Sequence, residues 1–145
     1  GLRVFGPETW LDVLPSEYKN RYGGFVPYEE AGEAYASAEI SLNLHSFQCP
    51  TCLNARDFNV VMAGGCLLAD WVEDFDRDYF DSKSEVALFR TEEEAVDTAR
   101  DLLSDSDRRE AMKSVAHARL LREHTVCHRV EKILNILSSP DSDVS

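Results

Sequence analysis

The chain has 145 residues, 43% of them hydrophobic, and its 27 acidic and 15 basic side chains leave a net charge of −12. That length suits one domain with a real core, and the composition suits a globular rather than a disordered chain. The acidic balance argues against duplex nucleic acid or an anionic membrane as a main partner, but a nucleotide stays compatible, because a pocket can be locally basic. The cysteines, Cys49, Cys52, Cys66 and Cys127, do not form a disulfide framework and point to a reducing, cytoplasmic compartment. No signal peptide and no apolar run of membrane-spanning length is present.

Leu2 to Gly6 reads as a strand ending in glycine, and its abrupt position after Gly1 suggests the cut end of a longer protein. Residues 7–22 read as loop with one short helix. Gly24-Phe25-Val26 is a short strand candidate. Pro27 is placed to open a helix that continues from Tyr28 to Ala38, with Ala31, Ala34, Tyr35 and Ala38 on one face. Glu39 to Leu44 is an apolar strand, and it runs into a polar loop with His45, Cys49 and Cys52. A helix is expected to open near Leu53 and end at Gly64-Gly65, followed by a strand from Cys66 to Asp70. Val86 to Phe89 is a further strand. Thr91-Glu92-Glu93-Glu94 is a capping box for a helix burying Ala95, Val96, Ala99, Leu102 and Leu103. Helices follow over about 107–123 and 125–137, the last with Val126, Val130, Ile133, Leu134 and Leu137 on one stripe. Ser138 to Ser145 is expected to be a flexible tail.

Strands alternating with helices predict an α/β fold: a Rossmann-like parallel sheet flanked by helices, with extra C-terminal helices. Residues 1–137 form the expected domain. Ligands of such sheets lie outside the carboxyl ends of the strands and against helix N-termini. The loop from Leu44 to Asn54 is therefore where the chemistry is expected.

Two motifs invite a metal reading. Cys49-Pro50-Thr51-Cys52 has the spacing of a zinc half-site, and His124 with His128 would complete a Cys₂His₂ set. The long gap between the pairs is unlike a zinc module. Unpaired loop cysteines fit best, then a labile disulfide, then zinc. Asp74, Asp76, Asp78 and Glu85 fall on EF-hand loop positions, but Tyr79 stands where the sharp turn needs glycine. A solvated acidic face is expected there, and no metal site.

The order of several segments carries a resemblance. Gly6 with Trp10 nearby is followed by Gly24-Phe25-Val26-Pro27-Tyr28, then Tyr35-Ala36-Ser37-Ala38-Glu39-Ile40-Ser41-Leu42-Asn43. Asn54-Ala55-Arg56-Asp57-Phe58 comes next, then Ala63-Gly64-Gly65, Leu67-Leu68-Ala69-Asp70, and finally His124-Thr125 with Arg129. From Gly6 to Leu137 this resembles the carboxyl-terminal domain of two-domain (GT-B) glycosyltransferases, above all the spore-maturation (CgeB-like) group. The resemblance implies a domain that binds the nucleoside-diphosphate sugar donor as substrate, with no separate cofactor. It also implies a missing amino-terminal domain as the structural partner, holding the acceptor and often the catalytic base, so no catalytic residue is assigned here.

Under that resemblance Arg56 would meet the diphosphate, its planar fork matching phosphate oxygens; a surface pair with Asp57 is the plain alternative. Asn54 and Thr51 lie at the same helix start as donor ligands or N-caps, the cap falling more naturally to Thr51. His45 would reach the sugar or pyrophosphate, or simply pack. Asn43 would face the donor or satisfy nearby backbone. Tyr28 would border the nucleobase or belong to the core. The family usually has Glu directly after the Phe, where it can bind the donor ribose, and this chain has Asn59. Related retaining enzymes have a second Glu eight residues earlier, where this chain has Thr51. Loss of both carboxylates leaves two readings: the donor-binding half of a glycosyltransferase, or a non-catalytic module derived from one.

Overall fold

Three short runs, Ser41–Asn43 (β1), Leu67–Asp70 (β2) and Ala87–Phe89 (β3), pair in parallel in the order β1-β2-β3. The computed structural model describes residues 1–45, 50–77 and 79–138, without the side chains of residues 76 and 77. Cys49, Asp78 and the expected tail beyond Ser138 lie outside the described residues. The helices in chain order are Trp10–Val13 (α1), Ala31–Ser37 (α2), Ala55–Met62 (α3), Glu92–Ser104 (α4), Ser106–Glu123 (α5) and Val126–Ser138 (α6), with short 3₁₀ turns at Ser16–Arg21, Tyr28–Glu30 and Glu73–Arg77. The predicted Rossmann-like α/β class is what forms.

Alternation along β2 builds a core on each face of the sheet, as the period-two geometry of a strand requires. Leu67 and Ala69 join Val60 and Val61 of α3 with Ala116 and Leu120 of α5. Cys66 and Leu68 point the other way, to Ala87, Phe89, Leu102 of α4 and Met112 of α5. The long helix α5 therefore spans both layers. On β1, Ser41 and Asn43 are buried while Leu42, between them, is 49% exposed. The outer edge of β1 carries no further strand among the described residues.

α3 connects β1 to β2, but β2 reaches β3 through residues 71–86 with only the Glu73–Arg77 turn among the described residues. The glycine pair predicted to stop α3 does so. Gly64 has φ +75°, a conformation side chains disfavour, and a Cβ on Gly65 would lie 2.9 Å from the carbonyl oxygen of Tyr35.

Several local expectations are corrected. α3 starts at Ala55, two residues later than expected, and the strand at its C-terminal side starts at Leu67. Leu2 to Gly6 and Gly24 to Val26 form no strand. Val4 makes one parallel bridge to Tyr22, and Gly6 N–H donates to the carbonyl of Gly24 at 3.0 Å. A strand needs a continuous neighbour, and no described residue before Ser41 is buried. In α4 the inward stripe is the buried Leu102 with the partly buried Ala95 and Ala99, whereas Val96 and Leu103 are 47% and 50% exposed. Those two sit one residue round from the stripe, about 100° of helix away. Thr91 caps α4 by accepting from Glu94 N–H at 3.2 Å, but Glu94 reaches back to Arg90 N–H instead of completing the box. The apolar stripe of α6 is present, yet no described residue of that helix is buried.

Candidate functional site

The parallel register brings the carboxyl ends of β1 and β2 and the N-terminus of α3 to one edge. Asn43 is the last residue of β1, His45 lies two residues beyond it, and Asp70 ends β2. Asn54 is the N-cap of α3, in extended conformation at φ −108°, ψ 170°. Its side-chain oxygen accepts from Arg56 N–H at 2.8 Å, and Asp57 Oδ2 accepts from Asn54 N–H at 2.8 Å. This reciprocal cap turns the Asp57 carboxylate into the protein, where it is fully buried.

Asp57 is the hub of a polar network. Asn43 Nδ2 donates to Asp57 Oδ1 at 2.6 Å and to Asn54 Oδ1 at 3.2 Å. His45 Nε2 lies 2.9 Å from Asp57 Oδ2, and its Nδ1 lies 2.8 Å from Asp70 Oδ1. Asp70 Oδ1 also accepts from His45 N–H at 2.8 Å. The outermost member is Arg56, whose Nη1 donates to Asn43 Oδ1 at 2.9 Å while the residue stays exposed. A continuous hydrogen-bonded chain thus runs from Asp70 through His45, Asp57 and Asn43 to the Arg56 guanidinium.

Both ring nitrogens of His45 face carboxylate oxygens, which only accept when ionised, so the doubly protonated imidazolium satisfies the arrangement. Its side chain is 2% exposed. Burial is the largest single influence and pushes the imidazole pKa down, but the hydrogen bonds and charges of Asp70 and Asp57 together outweigh it. The result lies above the ordinary 6.5. Phe75 packs against the His45 ring in a T-shaped contact with centroids 6.0 Å apart.

The expected donor ligands are distributed unequally. Arg56, Asn54, His45 and Asn43 come together in this network. Thr51 is exposed and does not cap α3, because the helix begins past its reach; its carbonyl accepts from Asp74 N–H at 3.0 Å. Asn59 lies half-buried on α3, a turn beyond Asn54. Tyr28 is 75% exposed, so it is no core residue, and among the described residues no hydrogen bond or ring contact joins it to the others. Sequence reasoning misses Asp57 and Asp70 as site residues. The Asn54-x-x-Asp57 spacing of a capping box is the available signal for the first; nothing local marks Asp70.

The metal readings find no support among the described residues, where no group of three potential ligands comes together. Cys52 is a free, exposed thiol, and Cys49 lies outside the described residues. His128 turns to Thr125, its Nδ1 2.7 Å from the hydroxyl. His124 sits among the rings of Phe58, Tyr79 and Phe80 at 5.5–6.4 Å. Burial above all holds its pKa below the usual value, which favours the neutral imidazole. In the acidic segment, Glu85 is 7% exposed and binds Arg119 at 3.1 Å rather than facing solvent, and Asp74 Oδ2 accepts from Leu53 N–H at 3.2 Å. The expected solvated face is therefore partly an inward-facing set of loop anchors.

No helix among the described residues is long and apolar enough to cross a membrane. No curated protein and no solved structure matches the chain. A family model described as glycosyl transferase-like matches residues 1–135, and with nearly the whole chain covered, this protein belongs to that family.

Proposed function

We propose that the chain is the donor-binding half of a glycosyltransferase of the GT-B, CgeB-like kind, binding a nucleoside-diphosphate sugar whose glycosyl group goes to an acceptor held by a separate amino-terminal domain. The observation that carries this reading is the placement of Arg56. Its guanidinium is held by Asn43 at the carboxyl end of β1, beside the N-terminus of α3, in a chain of the glycosyl transferase-like family. Charge growing on a diphosphate leaving group there meets a fixed cation and the positive end of a helix dipole. Those two elements answer the leaving-group charge without a metal or a separate cofactor. His45, Asn43 and Asn54 act in this reading as the scaffold that fixes Arg56, with Asn59 and Thr51 nearer the sugar and ribose and Tyr28 towards the base.

Arg56→Ala should weaken nucleoside diphosphate binding about tenfold or more, the scale of a charge-assisted hydrogen bond, and leave the matching nucleoside nearly unaffected. Ligand-observed NMR with UDP, GDP, ADP, dTDP and CMP against their nucleosides reads this directly. Equal losses for both ligand classes would sink the phosphate assignment.

A specific observation favours a second reading, a non-catalytic module. Asn43, Asn54 and His45 spend their polar atoms on one another and on two aspartates, and position 59 carries no carboxylate. Asn59→Glu distinguishes the two. In an intact donor pocket it tightens ribose-containing ligands, whereas an unchanged affinity favours the non-catalytic module.

A further inference from the structure

Arg56 and Asp57 are neighbours in the chain, yet the first is exposed and the second fully buried. The link between them runs through a residue on another element. Asp57 Oδ2 accepts from Asn54 N–H at 2.8 Å and lies 2.9 Å from His45 Nε2. Capping α3 needs that oxygen alone. The other oxygen, Oδ1, accepts from Asn43 Nδ2 at 2.6 Å. Asn43 is fully buried at the end of β1, so its amide cannot exchange protein partners for water. Its Oδ1 accepts from Arg56 Nη1 at 2.9 Å, and among the described residues the Arg56 side chain makes no other hydrogen bond. An amide has a donor end and an acceptor end, and a flip exchanges them. A guanidinium only donates, and an ionised carboxylate only accepts. Asn43 therefore satisfies both neighbours in one orientation, and the buried charge of Asp57 selects it.

We propose that Asp57 is a positioning residue for Arg56: by fixing the polarity of the Asn43 amide, it presents an acceptor oxygen to the guanidinium and holds that cation at the carboxyl end of β1. Asp57 itself touches no ligand. Asp57→Asn reverses the order of donors and acceptors. Asn54 N–H and His45 Nε2 keep the new amide's oxygen at the Oδ2 position, so its nitrogen faces Asn43. Asn43 then turns its oxygen inwards and its NH₂ to the guanidinium, donor against donor, and Arg56 is released. Asn43→Asp combined with Asp57→Asn exchanges the two groups. A donor again faces an acceptor, and Arg56 meets a carboxylate oxygen; the 3.2 Å bond from Asn43 to Asn54 Oδ1 is lost. The consequence for phosphate binding rests on the donor-binding reading; the placement of the Arg56 side chain does not.

NMR of the Arg56 guanidinium tests the positioning without a ligand. Rotation about its Cζ–Nη bonds should be slow in the wild type, about tenfold faster or more in Asp57→Asn, and slow again in the double variant. Inorganic pyrophosphate, a probe that needs no nucleobase, should bind Asp57→Asn about tenfold more weakly than wild type and the double variant nearly as well as wild type. Circular dichroism checks that each variant is folded. Unchanged rotation in a folded Asp57→Asn, or fast rotation that persists in the double variant, would overturn the proposal. Should Asp57→Asn alone fail to fold, recovery of both the fold and slow rotation in the double variant supports the proposal, and failure to recover them overturns it. Pyrophosphate binding that Arg56→Ala leaves unchanged, with the rotation rates as expected, keeps the positioning and removes the phosphate reading.

Discussion

Asp57→Ala should cost about 3–5 kcal/mol of folding stability, the range for breaking one side of a buried ionic pair. The substitution strips several groups at once. The His45 imidazolium loses the acceptor at its Nε2, the Asn43 amide loses its 2.6 Å partner, and the Asn54 N–H loses the reciprocal cap of α3. Asn43 is fully buried and the His45 side chain is 2% exposed, so neither can turn to water instead. With total stabilities of about 5–15 kcal/mol for domains generally, such a loss is a large share of the whole. Asp57→Asn should fall between wild type and Ala, because one carbonyl oxygen can still accept while the amide nitrogen meets donors. Asp101→Ala, on the exposed face of α4, should stay within about 0.5 kcal/mol. Urea denaturation of the three variants measures this. A loss under about 1 kcal/mol for Asp57→Ala would mean that the network is not a linchpin of the fold.

His45→Leu should cost about 3 kcal/mol or more near neutral pH, since it leaves the buried Asp57 carboxylate without its cation, and it should also change the shape of the stability profile. The folded pKa of His45 lies above 6.5. The folded state therefore binds the extra proton more tightly than the unfolded chain. The stability this contributes is complete below pH 6.5 and is lost as pH rises through the folded value. His124 works in the opposite sense. Its folded pKa lies below 6.5 because of burial, so stability is lost as pH falls from 6.5 towards the folded value. Between them the two histidines place a maximum near pH 6.5. His45→Leu should remove the decline on the alkaline side, and His124→Phe the part of the acid-side decline that this group causes. Urea midpoints from about pH 5 to 8.5 at fixed ionic strength test both. A wild-type profile that stays flat above pH 6.5, or an alkaline decline that survives His45→Leu, would rule out His45 as a charged bridge.

The same network shows how unevenly the site is legible in the sequence. Arg56, Asn54, Asn43 and His45 stand out because of their residue types and their place after an apolar strand. Asp57 looks like a surface partner for Arg56, although one residue along a helix turns a side chain by about 100°. That rotation sends Arg56 outwards and Asp57 into the core. Threonine is a good capping residue, so Thr51 draws the cap three residues too early, and the Asn54–Asp57 reciprocity that outcompetes it is easy to overlook. The contact of the Arg90 guanidinium with the Trp71 ring, 3.7 Å from its centroid, has no local signature at all, for its members follow different strands.

What the sequence determined by itself was local and periodic. Short apolar runs marked the strands, the three-to-four-residue spacing marked the helices, and Gly64-Gly65 fixed the end of α3 through a backbone conformation that glycine alone adopts readily. Those features were enough for the α/β class and for the edge of the sheet at which to look. Tertiary structure decided which faces became core. Val96 and Leu103 are as apolar as Leu102 but were left outside, and the stripe of α6 and the strand-like residues near Val4 found no covering neighbour. It also decided the charge state of His45. Its partners are 12 and 25 residues away in the chain, and only parallel pairing of β1 with β2 brings two carboxylates to one imidazole. Local sequence can state that a histidine follows a strand. Its proton affinity depends on what long-range packing places around it.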